Sequence, residues 1–126
     1  MSRMMTAVLL MAVLAACSRA GDPDPPQTRF ELAAGPGEVT ELCFESAAGD
    51  VVIYRFEASR PLGFNLHYHV DEEMFFPVPE HETAAEKGQY IVPADQDYCL
   101  MWTNSSTDLT ATLVAELYGA GAVTAH

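Results

Sequence analysis

The stretch Leu62-Gly63-Phe64-Asn65-Leu66-His67-Tyr68-His69-Val70 decides the fold class. Leu62, Phe64, Leu66, Tyr68 and Val70 fall on one side of an extended chain, and Gly63, Asn65, His67 and His69 fall on the other. A two-residue period belongs to a β-strand with one face on a core, whereas a helix repeats its apolar face every 3.6 residues. The same alternation returns downstream. In 97–103, Tyr98, Leu100 and Trp102 share one face and Cys99 and Met101 the other; in 109–118, Leu109, Ala111, Leu113, Ala115 and Leu117 share the inward face.

Further runs rich in Val, Ile, Phe and Tyr predict strands near 29–33, 39–45, 51–58, 73–78 and 88–92. Turn residues separate them at Gly35-Pro36-Gly37, Ala48-Gly49-Asp50, Ser59-Arg60-Pro61, Pro93-Ala94-Asp95 and Asn104-Ser105-Ser106. Runs recurring at intervals of roughly 8–12 residues predict an all-β antiparallel sandwich, jelly-roll-like, of about eight strands. The one segment with helical character, 80–86, is short and charged and reads as an exposed loop.

Upstream of this domain (29–126) the composition changes. Arg3 precedes an apolar run from Met4 to Ala16, interrupted by Thr6. The run is too short for a spanning helix, which needs about 20 apolar residues, and fits the core of a secretory signal over 1–16. It ends in Leu14-Ala15-Ala16-Cys17, a lipobox, so Cys17 is expected to carry a diacylglyceryl group and an N-acyl chain. Ser18 follows, where Asp would be the usual inner-membrane retention cue; in a Gram-negative host the expected address is the outer membrane, facing the periplasm. Residues 17–28, rich in proline and small polar residues, form a spacer that cannot build a core. Removing the signal takes the net charge from −12 to −13, since Arg3 is its one charged residue. An acidic surface of this kind argues against nucleic acid and against electrostatic docking on anionic lipid.

With Cys17 set aside, Cys43 and Cys99 form an even pair in an oxidising compartment, and a disulfide is expected. It would close a loop of 56 residues, worth roughly 4 kcal/mol in chain entropy. The alternative, a redox or copper-thiolate role, lacks a Cys-x-x-Cys spacing and flanking cations.

Cys43-Phe44-Glu45, Gly49-Asp50-Val51 through Phe56, and Leu66-His67-Tyr68-His69 with acids behind them resemble the opening of a GOLD domain. Gly88-Gln89-Tyr90-Ile91-Val92-Pro93-Ala94, then Tyr98 six residues before Asn104, are similar to its second half. The resemblance spans roughly 29–118 and implies a β-sandwich, as in Golgi cargo receptors and lipid-transfer proteins, that binds proteins or membranes without catalysis. One position departs: in the cargo receptors the second Cys stands where Met101 is here, two residues beyond Cys99 on the same strand face.

His67 and His69, at i and i+2 on one strand face, can chelate one ion, with Glu73 or His81 completing a site for Cu or Zn. His67, His69 and Glu73 also resemble the first motif of metal-binding cupins, which implies a metalloenzyme. The pattern departs at Gly63, which is two residues too close, and in the missing histidine between Pro93 and Asn104. No Gly-x-Ser-x-Gly elbow, phosphate-binding glycine loop or Cys–His nucleophile pairing is present. Phe75, Phe76, Tyr90, Tyr98 and Trp102 are expected to build the core. Yet Met74-Phe75-Phe76-Pro77-Val78 is apolar on both faces, so Met74, Phe75 and Phe76 are also the candidate interaction surface. The expectation is a membrane-tethered, non-catalytic domain that binds a protein or envelope component through 65–81, with transition-metal binding or a cupin-like enzyme as alternatives.

Overall fold

The computed structural model describes residues 28–126. The expected signal segment, Cys17 and the expected spacer up to residue 27 lie outside the described residues, while Thr28, expected to end the spacer, opens the first strand. Seven antiparallel strands follow in order: β1 (Thr28–Ala34), β2 (Val39–Ser46), β3 (Val51–Val70), β4 (Glu73–Ile91), β5 (Gln96–Thr103), β6 (Ala111–Tyr118) and β7 (Val123–Ala125). They are hydrogen-bonded in the order β1-β6-β3-β5-β2-β7, with β4 added alongside β3. No described residue is helical.

The expected breaks at 59–61 and 80–86 are corrected. Segments 51–58 and 62–70 run together as the 20-residue β3, and 73–78, 80–86 and 88–92 merge into the 19-residue β4. At Ser59-Arg60-Pro61 the chain does not turn; it slips register against β4 between Glu57 and Leu62. A bulge of this kind tolerates Pro61, which has no N–H to offer a ladder. Two further slips, between Phe64 and Leu66 and between Leu66 and Tyr68, coincide on β4 with Pro79 and Pro77. The 80–86 segment is polar because β4 pairs with β3 alone and is an edge strand, where exposed charges deter pairing with other chains. At the hairpin tip, Val70 pairs with Glu73 across Asp71 and Glu72, and Asp71 takes φ 54°, a conformation Asp tolerates in tight turns.

The bent β3–β4 hairpin serves both layers. Residues 53–58 of β3 pair with β6, and residues 63–68 pair with β5. One layer is therefore β1, β6 and the first half of β3; the other is the second half of β3, then β5, β2 and β7, and the whole is nearly closed into a barrel. Between the layers lie Leu42, Phe44, Val52, Phe64, Leu66, Tyr98, Leu100, Trp102 and Leu117, all essentially inaccessible. Burial of each large apolar side chain stabilises by about 1.5–3 kcal/mol. Phe56, Phe64 and Trp102 form one aromatic group, with Phe56 edge-on to Trp102 at 5.3 Å. Tyr98 centres another with Phe44, Tyr68 and Tyr90. The inward faces of β3, β5 and β6 follow the two-residue period, except that Val70, at the end of β3, is 40 % exposed and Leu109 precedes β6 and is 57 % exposed.

Two polar residues lock the ends. The Tyr98 hydroxyl donates to Ala94 O at 2.9 Å. Asn104, fully buried, donates from Nδ2 to Ala34 O (3.0 Å) and Leu109 O (2.7 Å) and accepts from Ser106 N at Oδ1. It ties the β1–β2 turn to the β5–β6 loop. Gly88 lies opposite Tyr54, and the Tyr54 ring occupies the space that a Cβ at Gly88 would need.

Candidate functional site

The outward face of β3, β5 and β2 carries the histidines. His67 pairs with Cys99, Cys99 pairs with Cys43, and Cys43 pairs with Thr124 of β7, so these four residues form one row across four strands. The neighbouring row is Asn65, Met101 and Glu41. Cys43 and Cys99 are joined as a disulfide, with Cα atoms 4.1 Å apart, as suits a directly opposed pair whose side chains approach closely.

His67 and His69 do share a face, with ring centroids 5.1 Å apart. The expectation that both point into solvent or a shallow cleft is corrected for His67, which is 1 % exposed. Its ring is flanked by His69 and by Phe76, at 5.9 Å. Nδ1 lies 2.8 Å from Asn65 Oδ1, itself buried. A carbonyl oxygen accepts only, so Nδ1 carries a proton, and in the neutral ring the lone pair is on Nε2. That nitrogen faces Glu41 Oε1 at 4.0 Å. Burial holds the imidazole below its ordinary range; Glu41 opposes the shift and His69 adds to it.

The four sequence-derived ligands do not converge. Glu73 pairs with Val70 and His81 with Phe64, both inward-parity residues, whereas His67 and His69 lie on the outward face. His81 instead contacts Phe64 edge-on and bonds Pro79 O through Nδ1 and Glu86 through Nε2, at 2.5 Å. The Pro79 bond first, then Glu86, raise its pKa. Among the described residues, the metal-ligating atoms that cluster belong to Glu41, Cys43 and Cys99, beside the His67 Nε2. Glu41 was not legible as a partner: it meets His67 only because β5 lies between β2 and β3.

The apolar candidates divide likewise. Phe75 stacks on Tyr68 at 5.2 Å, while Met74 pairs with His69. Neither Phe75 nor Phe76 joins the core, in contrast to Tyr98 and Trp102: with Val70 and Met74 they are 39–44 % exposed at the hairpin tip, next to exposed Asp71, Glu72 and Glu73.

On the opposite layer, Arg29, Glu116, Arg55 and Lys87 make a row along a groove of about 670 Å³. Glu116 pairs with both arginines, and Glu57 and Glu86 also line the groove, so its charges balance. No family model and no curated protein matches this sequence.

Proposed function

We propose that this chain is a lipid-anchored protein of the bacterial envelope whose β domain docks another protein through the tip of the β3–β4 hairpin. The observation that carries the reading is the set of Val70, Met74, Phe75 and Phe76, all exposed at the tip of the β3–β4 hairpin, with Val70 at the end of β3 and the other three on the edge strand β4. Large apolar side chains exposed at one end of a fold and rimmed by charged residues are characteristic of interaction sites. The acidic rim of Asp71, Glu72 and Glu73 selects a partner with apolar side chains and a basic border, and disfavours an anionic lipid surface. The GOLD-like pattern of the sequence agrees with a binding role without catalysis. Acylation at Cys17, followed by a proline-rich spacer, holds the domain at the periplasmic face, in the outer membrane on the strength of Ser18.

A photo-crosslinking residue at position 76, introduced into the full chain in its native membranes, tests the docking. One discrete protein adduct, lost on Met74→Asp, is expected; adducts with lipid alone, or none, would overturn it. Incorporation of labelled palmitate, abolished by Cys17→Ser, tests the anchor separately.

A further inference from the structure

We propose that Glu41, Cys43, His67 and Cys99 form a redox-gated zinc site, closed while the Cys43–Cys99 disulfide stands and assembled when it is reduced. The ligand atoms of Glu41, Cys43 and Cys99 all lie within 4.8 Å of one another. Cys43 Sγ is 3.8 Å from Glu41 Oε2, and His67 Nε2 is 4.0 Å from Glu41 Oε1. These two separations, both measured from Glu41, suit ligands about 2.0–2.3 Å from a shared tetrahedral ion, and the two sulfurs reach such spacing only once the bond between them is broken; two thiolates, an imidazole and a carboxylate are a zinc-type donor set.

The surroundings of His67 supply the second observation. An imidazole that binds a metal through one nitrogen ordinarily donates the other N–H to an oxygen that fixes its tautomer and orientation. Asn65 Oδ1 does this at Nδ1. Nε2 is left facing the Glu41 carboxylate, 4.0 Å away. Access is from the β2 side, where the Glu41 side chain is 27 % exposed and Cys43 is half-buried, whereas His67 and Cys99 lie deeper.

A dithiol reductant opens the site. Its thiolate attacks Cys43 Sγ, the S–S bond breaks, and Cys99 leaves as a thiolate. The second thiol of the reductant then displaces Cys43 and closes the reductant's own disulfide. Two electrons pass to the protein, and each cysteine sulfur is left to take up a proton or the metal ion. Oxidation reverses the sequence and expels the ion, because sulfurs bonded to each other no longer serve as thiolate ligands. This proposal is independent of the docking at the hairpin tip.

The full chain in detergent, reduced anaerobically by a resin-bound dithiol that is then filtered off, is titrated with Zn²⁺ against a chromophoric chelator. The oxidised chain is the control. One Zn²⁺ per chain is expected after reduction and none before it, with Co²⁺ giving thiolate charge-transfer bands in the reduced form alone. Glu41→Gln, on the more exposed side, should weaken Zn²⁺ by at least about tenfold, and Cys43→Ser/Cys99→Ser should abolish binding. Equal uptake by oxidised and reduced chains, no uptake by a reduced chain that keeps its near-UV circular dichroism, or a reduced chain that stays unfolded with Zn²⁺ would each overturn the proposal.

Discussion

His67 stands directly across the β3–β5 ladder from Cys99. The disulfide therefore borders a buried imidazole on the outward face of the sheet, away from the aromatic core. Its removal should loosen the fold without opening a cavity in that core. In metal-free buffer, Cys43→Ala/Cys99→Ala should lose up to about 4 kcal/mol of unfolding free energy through the wider freedom of the unfolded chain. Urea denaturation monitored by Trp102 fluorescence measures this. A loss well under 1 kcal/mol would mean that the unfolded chain gains little freedom when the link is cut.

The environment of His67 fixes the sign of one pH effect. Its folded pKa is depressed below 6.5, chiefly by burial. As pH falls through the unfolded value, the unfolded chain takes up the proton first. The stability that comes from keeping the ring neutral is thus complete above about pH 6.5 and is lost on acidification toward the lower folded value. His81 acts oppositely. Its raised pKa gives stability present below the unfolded value and lost as pH rises through the folded one, a small effect at a partly exposed side chain. Between about pH 7.5 and 5, His67→Gln should lose less stability than the wild type, and His81→Gln should lose more. Matching pH profiles for all three proteins would refute the assignment.

Asn104 satisfies carbonyls from two separate loops. Truncation to Ala leaves Ala34 O and Leu109 O without that donor inside the protein, and should destabilise by about 3 kcal/mol. Hydrogen exchange should rise first at Gly37 and Ser106, whose amides bond to the backbone and side chain of Asn104.

Gly88 offers a case in which local propensity predicts the wrong sign. A β-branched residue ordinarily favours a strand. Here Val would meet the Tyr54 ring, which is 4 % exposed and confined by Phe64 at 5.5 Å. Gly88→Val should therefore destabilise by about 2 kcal/mol, read as a lower urea midpoint at unchanged slope.

Much of the architecture was legible because apolar alternation in 62–70, 97–103 and 111–118 is a local property of an extended chain with one face buried. The joins were not. Ser59-Arg60-Pro61 and 80–86 have the composition of a turn and a loop, and they stay extended because each lies beside a long hairpin partner. Phe75 and Phe76 resembled core residues for a related reason: hydrophobicity does not tell a central strand from an edge.

By itself, the sequence determined which side chains share a face. Period two places His67 with His69 and away from Leu66, and an even cysteine pair gives one bridge. Only the tertiary structure decided lateral neighbours. The order β3-β5-β2 sets Glu41 and the disulfide beside His67, and the covering rings of Phe76 and His69 bury it. Face parity is written into every two residues of chain, whereas strand order comes from contacts between segments distant in sequence, which no local pattern encodes.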